Sequence, residues 1–146
     1  MPDPIVSFRF QLEVSGSVTG YFNEVSGIGS EHEIVEFKVM ESDGHTEGVH
    51  KIPGRLKWEN ITLKRGITTD MQIWDWRQQV VDGAVESARK GGSIVMLDEA
   101  FTPVARWDFL RAWPSKVTGP SPKADSNEVG VEELTLTHEG IKRNAV

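Results

Sequence analysis

Cysteine is absent from the 146 residues. That excludes disulfide staples, a thiolate nucleophile and zinc held by cysteine. Long apolar runs are missing as well, and none approaches the roughly 20 residues of a membrane helix. Met1-Pro2-Asp3-Pro4 offers neither a basic n-region nor an apolar h-region, so the expected product is soluble and made in the cytoplasm. Basic charge is scarce: 16 Lys and Arg against 22 Asp and Glu leave a net charge of -6. Such a balance argues against a nucleic-acid-binding patch. A phosphate cradle is missing, because Gly27-Ile28-Gly29 continues to neither a third glycine nor a helix. No G-x-S-x-G elbow occurs. His45 and His50, with Glu47 between them, would need a third ligand and a rigid frame, which leaves them as solvated loop histidines rather than a metal site. His138-Glu139 is no acid/base pair, since neighbours on a strand point to opposite faces; His138 is read as structural. No catalytic residue, cofactor or metal is therefore expected.

The length suits one domain, residues 1–146, with a core of its own. Period-2 alternation dominates. Phe8, Phe10, Leu12 and Val14 alternate with Arg9, Gln11 and Glu13. Gly20 to Val25 follows as a second strand after the Ser15-Gly16-Ser17 turn. Val35, Phe37 and Val39 alternate with Glu36 and Lys38. Residues 41–55 are read as a long polar loop, within which Asp43-Gly44 could close a small hairpin. From Pro53 to Thr68 a strand changes phase, with a bulge expected near Glu59-Asn60.

One helix is expected over about 70–85, capped by Thr69 or Asp70. Its buried face would carry Met71, Trp74, Val81 and Ala84, flanked by Ile73 and Val80. Trp76 would point partly outward, and Trp74-Asp75-Trp76 is read as packing rather than as a base-stacking platform. Further strands are expected at Gly92 to Leu97, at Ala105 to Trp113 with Pro114 ending it, and at Val129 to His138. Residues 115–127 are read as a loop. The sum is a mainly β protein, a barrel or sandwich with one helix packed on it. The expected core includes Phe8, Phe10, Leu12, Phe37, Trp74, Trp107, Phe109, Leu134 and Leu136.

Four phrases in order carry a resemblance across nearly the whole chain. They are Phe8-Arg9-Phe10 with Phe22-Asn23-Glu24-Val25-Ser26-Gly27; Pro53-Gly54 with Asn60 to Thr68 (N-I-T-L-K-R-G-I-T); Trp113-Pro114-Ser115-Lys116 with Gly119-Pro120; and Glu133 to Gly140 (E-L-T-L-T-H-E-G). Together they resemble the inner-tube proteins of contractile phage tails and extracellular contractile injection systems. The resemblance implies a non-enzymatic subunit of a tube-protein fold. It implies hexameric rings stacked into a tube inside a sheath, with baseplate, spike and terminator proteins at its ends and protein cargo or DNA in its lumen. The particle would assemble in the bacterial cytoplasm, without insertion of this chain into a membrane. A secreted ring protein of the type VI kind shares the expected fold, but the Asn60–Thr68 phrase favours the phage-like branch. A small-ligand-binding β-barrel and a β-augmentation module are the readings from other classes.

Charge is segregated. Residues 1–50 hold nine acids and two bases, whereas residues 51–66 hold one acid and five bases. Head-to-tail contact between copies could use such a pattern. On that reading Glu41, Asp43, Glu47, Lys51, Arg55, Lys57, Lys64 and Arg65 are candidates for contacts between subunits or stacked rings. Arg9, Gln11, Glu13, Glu36 and Lys38 are candidates for a lumen or an outer face.

Overall fold

A computed structural model describes residues 8–40, 44, 47–120 and 130–146. The elements are β1 (Arg9–Val14), β2 (Ser17–Phe22), β3 (Glu24–Ser26), β4 (Ser30–Met40), β5 (Glu47–Trp58), β6 (Ile61–Gly66), α1 (Gln72–Val81), α2 (Val85–Ala88), β7 (Lys90–Leu97), β8 (Pro103–Thr118), β9 (Val131–Thr137) and β10 (Gly140–Asn144). An eight-stranded sheet runs β2-β1-β7-β8-β9-β6-β3, with β10 added to β8. All of its strand pairs are antiparallel. The sheet curls until β2 approaches β6 and β3 approaches β1, giving a barrel-like shell. β4 and β5 form a separate two-stranded sheet.

Alternating residues fill the shell. Leu12, Phe22, Ile61, Leu63, Ile94, Phe109, Leu134 and Leu136 are buried together, and Ile73, Trp76 and Ala88 close over them from the helical side. Ser15 and Gly16 both have positive φ between the paired residues Val14 and Ser17, as a two-residue type I′ hairpin demands.

Helix α1 starts where Asp70 Oδ1 accepts the Gln72 N–H at 2.9 Å and Thr68 Oγ1 accepts the Asp70 N–H at 3.1 Å. The chain breaks after Val81, and Gly83, at φ 90°, separates α1 from α2. The buried stripe is Ile73 and Trp76, with Trp74 and Val80 half-buried and Met71 and Val81 exposed. The expected face was therefore rotated about the helix axis. Trp76, expected partly outward, is only 5% exposed and donates its indole N–H to the Ala88 carbonyl at 2.7 Å. Trp74, expected in the core, sits at its margin and donates to Glu132 Oε1 at 3.0 Å.

Other expectations also need correction. Residues 47–55 are strand, not loop, because they pair with β4 along its length. Pro53 is tolerated there since a two-stranded sheet leaves the outer edge of β5 unpaired; a register shift opposite His32 and Ile34 absorbs the irregularity. The phase change at Glu59-Asn60 is not a bulge in one strand. It is the point where the chain leaves the β4–β5 sheet and enters the large one. β8 runs through Pro114, which is buried at a register shift between Pro114 and Lys116. Residues 115–118 thus continue the strand, while 121–127 of the expected loop lie outside the described residues. β10 was not anticipated: its I-K-R-N sequence shows no apolar period, and pairing with β8 orders it. Phe8 is 37% exposed and Phe37 45% exposed, so neither is core; Phe37 lies on the two-stranded sheet, away from the shell. Phe10 and Trp107 pack partly buried against the core cluster.

Replacing Trp76 with Ala removes a buried ring and its hydrogen bond. A loss of about 3–5 kcal/mol is expected from denaturant midpoints, with a clearly smaller loss for Trp74→Ala. Equal losses would contradict the helix orientation described here.

Candidate assembly interface

The β4–β5 hairpin leaves the shell through a tight root. At Gly27, φ is 81° and a Cβ would lie 1.9 Å from the Asn60 carbonyl oxygen, so no other residue fits without moving the backbone. Glu59 N–H donates to the Gly29 carbonyl at 3.2 Å. His138 fastens the same point. The Gly140 N–H donates to its Nδ1 at 3.1 Å, so Nε2 carries the proton and donates to the Glu59 carbonyl at 2.9 Å. Trp58 packs on its ring at 5.8 Å. Beyond this root no other element packs extensively against β4 or β5 among the described residues. Ile34, Val35, Phe37, Met40, Val49, Ile52 and Leu56 are all exposed there.

The expected contact charges scatter over this architecture. Glu47, Lys51, Arg55 and Lys57 lie on β5, where Lys51 is paired with Glu36 and Lys57 with Glu31 across the hairpin. The acidic and basic segments are thus partners within one hairpin rather than opposed faces. Glu41 and Asp43 lie outside the described residues. Lys64 stands in register between Glu24 and Glu133 on the outer face of β6. A groove of about 730 Å³ beside it is lined by Asn23, Glu24, Lys64, Gly66, Val131 and Glu133, outside the core.

Arg65 cannot be a surface contact. It is 5% exposed, and its Nε donates to Glu132 Oε2 at 3.1 Å. Its guanidinium lies 5.1 Å from the Phe22 ring centre. Gly20 makes room, since a Cβ there would sit 2.6 Å from Arg65 Nη1. Glu132 uses one oxygen for Arg65 and the other for Trp74, locking the start of α1 to β9.

Arg9, Gln11 and Glu13 share the face of β1 that turns away from Leu12. Glu36 and Lys38 are on the hairpin, so the five residues do not form one surface. The β1 face extends across β7, β8 and β10 into a network that sequence reading missed. Gln11 donates to Glu13 Oε1 at 2.9 Å, and Arg106 lies 3.9 Å from Glu13 Oε2. Arg106 donates to Asp108 and to Ser93 Oγ, both at 2.9 Å. Ser93 and Asn144 also donate to Asp108. The Arg106-x-Asp108 spacing within a strand, which puts both side chains on one face, was the available signal. Arg9 lies over the Phe101 ring at 4.9 Å. Among the described residues no cluster of His, Cys, Asp and Glu is suited to a metal ion. No helix there is long and apolar enough to cross a membrane.

Comparison with solved structures gives these features a context. The fold is similar to a chain of an extracellular contractile injection system, the PVC sheath-tube complex in its extended state. Identity is 29%, coverage 99% of this chain and 93% of that chain, and TM-score 0.78. It is also similar to a chain of the PVC sheath/tube terminator (27% identity, 99% and 99% coverage, TM-score 0.74). A chain of the anti-feeding prophage cap matches at 25% identity, 100% and 94% coverage and TM-score 0.74. Among curated proteins none matches the sequence. The chain is a structural tube protein of a contractile tail or injection particle, not an enzyme. It belongs to the family described as T4-like virus tail tube protein gp19, whose profile matches residues 6–142.

Two outcomes follow from the site. Ser93 above all, then Arg106 and Asn144, hold the Asp108 carboxyl below its ordinary 3.8, against the opposing effect of desolvation. A depressed carboxyl contributes stability that is fully present above 3.8 and is lost as pH falls through the lower folded-state value. The melting temperature of Asp108→Asn should therefore fall less steeply than that of wild type below about pH 4; parallel curves would deny the network that role. Glu132→Ala leaves Arg65 buried with only the longer 4.0 Å contact to Asp70 and should cost about 3–5 kcal/mol in chemical unfolding. The same substitution combined with Arg65→Met should recover much of that loss.

Proposed function

We propose that the subunit assembles into hexameric rings that stack into a hollow tube inside a contractile sheath. Baseplate, spike and terminator proteins hold its ends, and protein cargo or DNA passes along its lumen. Residues 1–146 act as one tube domain. The observation that carries this reading is the unsupported hairpin. A lone two-stranded ribbon is marginal in water, and this one exposes seven large apolar side chains that no described element of its own subunit covers extensively. A neighbouring copy supplies the missing cover.

The tube wall also needs a surface past which cargo can slide. We assign that role to the β1–β7–β8–β10 face. There Glu13, Arg106 and Asp108 are closed on one another, so these three charges offer a passing molecule little to grip. Arg9, Gln11 and Glu13 would line the lumen, while Glu36 and Lys38 stay with the hairpin. The relatives solved as a sheath-tube complex and as a tube cap support the same set of partners for this chain.

Negative-stain electron microscopy over a concentration series, with and without the cognate sheath and baseplate proteins, tests the reading. Rings or tubes with a central hole are expected. A monomer under every one of these conditions would overturn it.

A further inference from the structure

His138 is 7% exposed, and both of its ring nitrogens bond to backbone. Nδ1 accepts the Gly140 N–H at the start of β10, and Nε2–H donates to the Glu59 carbonyl where β5 ends. The ring thus ties together two stretches 79 residues apart. Beside it Thr137 Oγ1 donates to Asn60 Oδ1 at 3.3 Å. Only a neutral ring can make both backbone bonds. A proton taken from water at Nδ1 turns that nitrogen from acceptor to donor, and it then confronts the Gly140 N–H as a second donor. Gly140 is buried, and a buried N–H without an acceptor is costly. The nearest charged groups along the elements that meet here are Glu31, Lys57 and Glu59 of the hairpin, Arg111 of β8, Glu139 of the β9–β10 turn and Lys142 of β10. Arg111 takes Glu139 at 2.9 Å, and the Glu59 carboxylate lies beside Gly29. Among the described residues no acid forms an ion pair with the ring, so none stands ready to hold a proton on Nδ1.

We propose that His138 is a proton-sensitive latch on the hairpin root. Its neutral ring holds the root closed, and a proton on Nδ1 releases it, so that mild acid frees the β4–β5 hairpin from its fixed direction while the shell stays folded. The location explains why the effect is local. β4 and β5 meet the rest of the subunit chiefly at this root, so the bonds that set the direction of the hairpin are few: His138 to Glu59, Glu59 to Gly29, and Thr137 to Asn60. The core cluster holds no ionisable side chain, so it has nothing to lose in the same pH range. The sign follows from the form that is bound. The closed root uses the neutral ring, so it is intact at high pH and weakens as pH falls. A free imidazole takes up its proton at about pH 6.5, and below that point each pH unit favours release about tenfold more. The latch belongs to the single subunit and does not depend on the self-assembly reading.

Amide hydrogen exchange on dispersed subunits at about pH 7.5 and about pH 5.5, corrected for the intrinsic pH dependence of exchange, tests the latch. The Gly140 and Glu59 amides should exchange about tenfold faster at the lower pH, while the amides of β7 and β8 keep their protection. An ordinary glutamate is still ionised there, so the acids of the root do not produce the step. His138→Gln keeps a donor for the Glu59 carbonyl, and His138→Asn keeps an acceptor for Gly140; neither can gain a proton, and both should lose the step. His32→Gln and His50→Gln, both on the hairpin, should retain it. Should neither His138 variant fold, NMR of the wild-type chain answers instead: the His138 Hε1 and Gly140 amide signals should move together with pH. A step that persists without His138, a ring that titrates with Gly140 unmoved, or equal loss of protection in root and shell overturns the latch. All of these readings come from the free subunit, so a chain that never forms rings overturns the self-assembly reading and leaves this one standing.

Discussion

β8 exchanges partners halfway along its length. From Pro103 to Ala112 it pairs with β7 on one side, and with β10 on the other; from Trp113 to Thr118 it pairs with β9. Arg111 marks the transition with φ 47°, in the left-handed region that a side chain adopts at a cost of about 1–3 kcal/mol. The Glu139 N–H donates to the Leu110 carbonyl at 3.0 Å, and Arg111 reaches Glu86 and Glu139, both at 2.9 Å. Those acids hold the guanidinium firmly charged, and they fix the bend from both sides. A straight strand could not carry both halves of the shell around one core. The bend lets Phe109 and Leu134 share that core, and it brings the β9–β10 turn to the root of the hairpin, where His138 closes on Glu59.

Order in the shell and exposure in the hairpin are two sides of one design. The large sheet curls on itself and is covered by α1, so its inward residues have a dry destination. The β4–β5 ribbon begins at Gly27–Gly29, turns out of that enclosure and returns at Asn60. Between these points the chain makes regular strands without a core to face. Such an element is hard to justify in a protein that acts alone. It is natural in one that meets copies of itself.

The same contrast explains what could be read from the sequence. Leu12, Phe109, Leu134 and Leu136 stand in strands with polar alternate positions, and all four are buried. Val35, Phe37 and Val39 show the same alternation, yet Val35 and Phe37 remain exposed and Val39 is only partly buried, because period 2 identifies an apolar face and not what covers it. β5 was hidden by Gly48, Pro53 and Gly54, which read as loop when no partner strand is in view. In the helix, Trp74 and Trp76 are two positions apart, and their order was reversed; the deciding fact, the reach of the Trp76 indole to Ala88, is tertiary. Arg65 looked like one of a row of exposed bases. Only the structure shows Gly20 on β2 leaving the space its guanidinium occupies. The phrases around Asn60–Thr68 build the root and first inward strand, where Gly27 meets the Asn60 backbone too closely to carry a side chain and Ile61 is fully buried.

The hairpin root has a kinetic corollary. Gly27, Asn60 and His138 fix where the ribbon leaves the subunit, but not what steadies its far end. On the proposed assembly, the first encounter between two free copies would have to restrain both ribbons for one contact. A copy arriving at an existing end finds a receiving surface already held in place. Growth would then be easier than initiation, with polymer expected above a threshold concentration and at sites where a template waits. A subunit built this way can accumulate in quantity as a soluble pool and still polymerise where another component has prepared the first layer.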